Sequence, residues 1–76
     1  MQPITLPELG EGISKATVAC WHIRLGEGVD AGEDVVELVT DKASFNVSAS
    51  VKGKLIAVYF KEGEEAAIGA VLGIIE

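Results

Sequence analysis

The chain is short of basic residues. Six Lys and Arg stand against twelve Asp and Glu, a formal net charge of −6 with an isoelectric point near 4.6. That balance argues against binding nucleic acid through its phosphates and makes a basic partner surface the better electrostatic match. Cysteine occurs once, as Cys20, so no internal disulfide can staple the fold and the disulfide-scaffold class is excluded. No apolar run has the length of a membrane span, so no membrane partner is expected. Met1-Gln-Pro-Ile-Thr5 has neither the charged nor the apolar region of a secretory signal. A helical stripe is missing as well: Ala66-Ala67-Ile68 is too short and is broken by Gly69.

What is present points to one small β domain. Seventy-six residues with 49% apolar content suffice for a compact core, near the lower size limit for folding without staples. Nine glycines and two prolines imply many tight turns. Val35-Val36-Glu37-Leu38-Val39 and Ala70-Val-Leu-Gly-Ile-Ile75 have strand length. Gly26-Glu-Gly28, Glu62-Gly-Glu64, Ala31-Gly-Glu33 and Ile68-Gly-Ala70 are turn signals.

The two halves of the chain resemble each other. Aligning Val18–Gly28 with Leu55–Glu65 sets Gly26 on Gly63, Glu27 on Glu64, Arg24 on Lys61 and Gly32 on Gly69. Apolar positions agree too, with Trp21 on Val58, Ile23 on Phe60, Val35 on Leu72 and Leu38 on Ile75. The flanking strands align as Ile4-Thr-Leu6-Pro7 on Phe45-Asn-Val47-Ser48, with Gly10-Glu-Gly-Ile13 as an insertion in the first half. Together these matches indicate a duplication. Val18, Trp21, Ile23 and Leu55, Val58, Phe60 are each spaced three and then two apart. A regular strand keeps period two, so a β-bulge is expected in both halves. The resulting architecture is all-β: a flattened barrel-sandwich of two four-stranded antiparallel sheets related by a pseudo-two-fold axis.

Lys42 lies where the two halves join, in Val39-Thr40-Asp41-Lys42-Ala43. Asp41 and Lys42 would be the two central residues of a tight hairpin, a place that favours Asn-Gly or Asp-Gly. Either the turn is of another type or the lysine stands there for its amine. The second reading is preferred.

With the duplication and this lysine in view, the chain resembles the lipoyl domains of 2-oxo-acid dehydrogenase acyltransferases over nearly its whole length. Leu6-Pro-Glu-Leu-Gly-Glu-Gly-Ile13 is similar to the family's opening motif. Trp21, Gly26-Glu27, Val29 and Gly32 match its second segment, and Glu37-Leu-Val-Thr-Asp-Lys-Ala43 matches the segment bearing the modified lysine. Gly53, Gly63 and Gly69 stand where the family has its later glycines. Two positions depart: Val39 replaces a common acidic residue or methionine, and Ser50 a common proline. Biotin carriers share the fold, but their lysine is usually flanked by methionines, whereas Asp41 and Ala43 flank Lys42.

The resemblance implies a carrier domain spanning 1–76, not an enzyme by itself, excised from a longer acyltransferase chain. It implies lipoate in amide linkage to Lys42, with Thr40, Asp41 and Ala43 forming the attachment turn and no catalytic residue of the domain's own. The implied partners are a lipoate ligase or lipoyl/octanoyl transferase, a thiamine-dependent 2-oxo-acid dehydrogenase, an acyltransferase catalytic domain and dihydrolipoamide dehydrogenase. The isolated domain is expected to be monomeric and cytoplasmic, with the mitochondrial matrix as the alternative location. In the family the loop Leu9-Gly10-Glu11-Gly12-Ile13 lies close to the lysine turn. Glu8, Gly10, Glu11, Gly12 and Val39 are therefore candidates for partner recognition, with Glu8, Glu11 and Asp41 as an acidic rim.

The remaining residues carry plainer expectations. His22 reads as a surface histidine of a strand, without a Cys, His or carboxylate at metal spacing, so no metal site is expected. Cys20 reads as a small filler with no acid-base partner. Trp21 and Phe60 read as core. Neither Gly10-Glu-Gly12 nor Gly26-Glu-Gly28 continues into a phosphate loop. Lys52, Lys54 and Lys61 read as ordinary surface charges, while Lys15, like Lys42, stands near a family turn. An unmodified interaction or structural β-sandwich, with Lys42 as a soluble turn residue, is the reading from a different class.

Overall fold

The computed structural model describes all 76 residues. It has eight strands and no helix: β1 (Gln2–Thr5), β2 (Lys15–Trp21), β3 (Gly28–Val29), β4 (Asp34–Val39), β5 (Ser44–Ser48), β6 (Gly53–Val58), β7 (Glu65–Ala67) and β8 (Val71–Ile75). They form two four-stranded antiparallel sheets, ordered β1-β8-β6-β3 and β5-β4-β2-β7. Each sheet takes its central pair from one half of the chain and both edge strands from the other. The halves are thus interwoven, not stacked.

One local motif recurs at four corners. In Arg24–Glu27, Asp30–Glu33, Lys61–Glu64 and Ala67–Ala70 the fourth residue's N–H donates to the first residue's carbonyl at 3.0–3.1 Å. The third residue is always glycine, with φ of 88–90°, a backbone that a side chain would strain. In three corners the fourth residue is Glu, and its carboxylate accepts the first residue's N–H: Glu27 from Arg24 at 2.6 Å, Glu33 from Asp30 at 2.7 Å and Glu64 from Lys61 at 2.7 Å. The Gly-Glu signals in the sequence therefore mark a turn with its own side-chain latch.

Both expected bulges are present. The β2–β4 register shifts between Val18 and Cys20, and the β6–β8 register shifts at the equivalent step between Leu55 and Ala57. The flanking alignment needs correction. Val47 pairs with Val36 as Ile4 pairs with Gly73, and Phe45 pairs with Leu38 as Gln2 pairs with Ile75. Ile4 therefore corresponds to Val47 and not to Phe45, and the insertion in the first half is longer than Gly10-Glu-Gly-Ile13. A slide of two residues keeps every side chain on its own face, so the apolar pattern could not detect it.

The core lies between the sheets. Val18, Val35, Val36, Leu38, Leu55 and Leu72 are fully buried, with Ile4, Leu6, Val29 and Ile75 around them. Trp21 and Phe60, expected as core, are half-buried and pack against this cluster from its edge. The Trp21 indole N–H donates to the Phe60 carbonyl at 2.8 Å, tying the two halves together at that edge.

Gly73 is the tightest point of this packing. A Cβ there would stand 2.6 Å from the Ala57 carbonyl oxygen and 3.0 Å from Trp21 Cη2. Gly73→Ala is expected to destabilise the fold by about 1–3 kcal/mol through overpacking. Urea unfolding followed by the fluorescence of Trp21, the single tryptophan, measures it.

Candidate functional site

The hairpin between β4 and β5 projects Lys42. Val39 pairs with Ser44, and the turn Thr40–Ala43 caps that pair with Asp41 and Lys42 at its centre. The Thr40 N–H donates to the Ala43 carbonyl at 2.8 Å. The return bonds are made by a side chain: Thr40 Oγ1 accepts from the N–H of Lys42 at 3.2 Å and of Ala43 at 3.1 Å, and its hydroxyl lies 3.0 Å from the Ala43 carbonyl. No non-glycine residue of the chain has positive φ. The turn is thus of another type than the Asn-Gly hairpin, and the threonine hydroxyl removes the need for glycine after Asp41.

The rest of the tip is open. Asp41, Lys42 and Ala43 are exposed, and the Lys42 ammonium enters no ion pair; the chain's ion pairs are Lys15–Glu65 at 3.2 Å and Lys52–Asp30 at 4.0 Å. Lys15 is therefore paired on the sheet surface while Lys42 is free. Val39 is 40% exposed, an apolar side chain beside the lysine.

The loop after β1 approaches this tip. One end is fixed where Leu6 donates to the Ala70 carbonyl and accepts from Gly69, and the other where the Ser14 carbonyl accepts from Ile68. Leu9 packs on the core. Between these anchors Gly10 and Gly12 have φ of 138° and 82°, and a Cβ at Gly12 would lie 3.7 Å from Lys42 Nζ. That is an ordinary contact distance, so it is the positive φ at Gly12, and not a clash with the amine, that favours glycine there. Glu8 and Glu11 are exposed and unpaired. A groove of about 400 Å³ runs beside the turn, lined among others by Gly12, Ile13, Thr17, Val39, Thr40 and Asp41.

A second cluster overturns two expectations. His22 and Cys20 do have partners: Cys20 Sγ lies 4.0 Å from His22 Nδ1, and its thiol donates to Glu37 Oε1 at 3.7 Å. His22, just past the end of β2, is fixed by Asn46, with Nε2 and Oδ1 2.8 Å apart. Partial burial pushes the Cys20 thiol pKa up, and the charge of Glu37, its hydrogen bond and the charge of Glu62 act the same way. Sequence spacing missed the cluster because Glu37 meets Cys20 only through strand pairing.

A family model of the biotin/lipoyl class, described as "Biotin-requiring enzyme", matches residues 2–75. The chain is similar to a dihydrolipoyllysine-residue succinyltransferase component of the 2-oxoglutarate dehydrogenase complex from Bartonella vinsonii subsp. berkhoffii, 44% identical over 73 residues. That match takes in 96% of this chain and 18% of the relative. It is also similar to a lipoamide acyltransferase component of the branched-chain alpha-keto acid dehydrogenase complex from Pseudomonas aeruginosa, 32% identical over 91% of this chain and 16% of the relative. The chain thus spans less than a fifth of these relatives. Among solved structures it resembles the lipoyl domain of the 2-oxoglutarate dehydrogenase complex from Azotobacter vinelandii, with a TM-score of 0.81 and 33% identity over all of this chain and 96% of that one. Kluyveromyces lactis urea carboxylase shares the fold over 6% of its length at 19% identity and a TM-score of 0.83.

The Thr40 latch can be tested directly. Thr40→Val keeps the shape and removes the hydroxyl that holds the Lys42 and Ala43 N–H groups. Amide exchange at those two positions is expected to accelerate, with a global loss of about 0.5–1.5 kcal/mol. NMR-detected hydrogen exchange beside a urea titration measures both.

Proposed function

The chain belongs to the biotin/lipoyl family as a lipoyl domain, and from that premise we propose that Lys42 carries a lipoyl group in amide linkage. The observation that supports this most is the free amine at the end of a closed turn. It has no carboxylate partner, a glycine beneath it and an open groove at its side. Those residues fit a long flexible acyl group, since nothing must be displaced to form the amide or to swing the arm.

When bound, the dithiolane supplies reductive acylation by a thiamine-dependent 2-oxo-acid dehydrogenase, transfer of the acyl group to coenzyme A at an acyltransferase site, and reoxidation by dihydrolipoamide dehydrogenase. The domain's own contribution is presentation. Thr40 holds the turn, the Gly12 backbone runs beside the amine, and the interwoven sheets keep the tip from folding back. Tethering raises the arm's effective concentration at each partner site. In this reading residues 1–76 are one carrier domain of a longer bacterial, cytoplasmic acyltransferase, and a lipoate ligase or lipoyl/octanoyl transferase modifies it.

Intact mass spectrometry after incubation with lipoate, ATP and a lipoate ligase is expected to show a gain of one lipoyl group. Lys42→Ala abolishes the gain while changing stability by no more than about 0.5 kcal/mol. Exchanging the pair, Asp41→Lys with Lys42→Asp, keeps composition but shifts the amine within the turn, and poor modification is expected. Equal modification of both orders would mean that the ligase reads a flexible peptide, and the presentation argument would fall. Gain of a biotinyl group with a biotin ligase instead would reassign the cofactor.

Partner choice is assigned to Glu8 and Glu11 in the loop and to Val39 beside the turn. Glu11→Gln is expected to leave folding and lipoylation intact and to slow reductive acylation at low ionic strength. The difference should shrink at high salt, because an exposed carboxylate acts through screened attraction. Assays of the lipoylated variants with pyruvate, 2-oxoglutarate and branched-chain dehydrogenases at two salt concentrations measure the effect and identify the cognate complex. Unchanged rates throughout would move recognition to another surface.

A further inference from the structure

The outer face of the sheet β5-β4-β2-β7 carries a row of side chains that the carrier role does not use. Cys20 pairs with Glu37 across β2 and β4, and Glu37 pairs with Asn46 across β4 and β5. His22 reaches back over this row. The ligand atoms of Cys20, His22 and Glu37 all lie within 4.8 Å of one another. We propose that Cys20, His22 and Glu37 form a binding site for a single zinc-class divalent cation, with three protein ligands and one exchangeable position.

Three observations carry this. First, the separations suit a tetrahedral ion. Metal distances of about 2.3 Å to sulfur and 2.0–2.2 Å to nitrogen or oxygen set ligand atoms roughly 3.3–3.6 Å apart. Sγ–Oε1 is 3.7 Å and Sγ–Nδ1 is 4.0 Å, so small rotamer shifts of accessible side chains close the site. Second, the histidine is held in the ligating tautomer. Asn46 Oδ1 can only accept, so Nε2 carries the proton and Nδ1 turns its lone pair toward Cys20. An outer carbonyl on the far ring nitrogen is the usual support of a metal-bound imidazole.

Third, the fold does not require these residues. The equivalent positions in the other half are Ala57, Tyr59, Ile74 and Pro3, on the same register pairs Ala57–Ile74 and Pro3–Ile74. One copy of the duplicated face has no thiol, imidazole or carboxylate, and the other has all three with the orienting amide. A thiolate and an imidazole select zinc over calcium or magnesium, which take oxygen ligands. On binding, the metal replaces the thiol proton, which passes to solvent, and the carboxylate turns from the thiol to the ion.

The test uses the untagged chain, unmodified at Lys42 so that no lipoyl sulfur competes, stripped with chelator and kept reduced. Cys20 and His22 are its only thiol and imidazole, so spectroscopic signals are assignable. Cobalt(II) is expected to give a thiolate-to-metal charge-transfer band saturating at one ion per chain, and zinc should bleach it. Competition with a chromophoric chelator should show zinc affinity falling at least about tenfold in Cys20→Ser, His22→Gln and Glu37→Gln, and less steeply in Asn46→Ala. Amide shifts of the wild-type chain on zinc addition should centre on residues 20–22, 37 and 46, a readout independent of any variant's folding. Absence of the cobalt band, or zinc affinity unchanged in folded Cys20→Ser, would overturn the site. The outcome is independent of lipoylation.

Discussion

The exchange of corners between halves is the constraint on which the remaining structure depends. The Val18 N–H and carbonyl bond to Glu64 and Gly63, and the Leu55 carbonyl and N–H bond to Gly26 and Glu27. Val18 and Leu55 are both fully buried, so neither can turn to water for a partner. Separating the halves would exchange these bonds for water at a net loss of about 0.5–1.5 kcal/mol each, besides exposing the core. The same exchange is repeated at the outer strands, where Leu6 bonds to Gly69 and Ala70 as Ala49 bonds to Gly32 and Glu33. Each half therefore completes the other, in a chain whose single cysteine allows no internal disulfide.

This interlock also sets the precision of the lysine tip. β4 is paired on both sides, with β2 and β5, so one strand of the hairpin is held inside the sheet and the hairpin is not a free ribbon. The bulge that releases Val35 and Val36 together into the core leaves Leu38 inward and Val39 outward. The last paired residue before the turn thus faces solvent. The loop from Leu6 to Ser14 is pinned at both ends, and its glycines bring backbone, not side chain, to the amine. Val39 and Asp41 then flank the groove beside the turn, and the Lys42 ammonium enters no ion pair.

Much of this could be read in the residues. The Gly-Glu corners, the three-then-two spacing of Val18, Trp21 and Ile23, and the central place of Lys42 each have a local cause that leaves a local trace. The alignment of the outer strands differs from their pairing by two positions because alternation is indifferent to such a slide. Only the pairing of Ile4 with Gly73 and of Val47 with Val36 distinguishes the registers. The Thr40 latch has a local trace too, a hydroxyl preceding the turn, but Asn-Gly preferences concern backbone dihedrals and do not register it. Cys20, Glu37 and Asn46 are far apart in the chain and become neighbours only through cross-strand pairing after a bulge. No spacing rule written along one strand can find such a row.

The duplication has one place where its two copies cannot match. Val39 and Ser44, which flank the lysine turn, correspond to Glu76 and Met1, so the pseudo-two-fold axis carries the tip onto the pole where residues 1 and 76 stand side by side. A twofold body would ordinarily offer two equivalent tips and therefore two acceptor sites. Within residues 1–76 only one of the two related poles is closed by a turn, so the near-symmetry of the sheets presents a single hairpin lysine, Lys42, and not a pair.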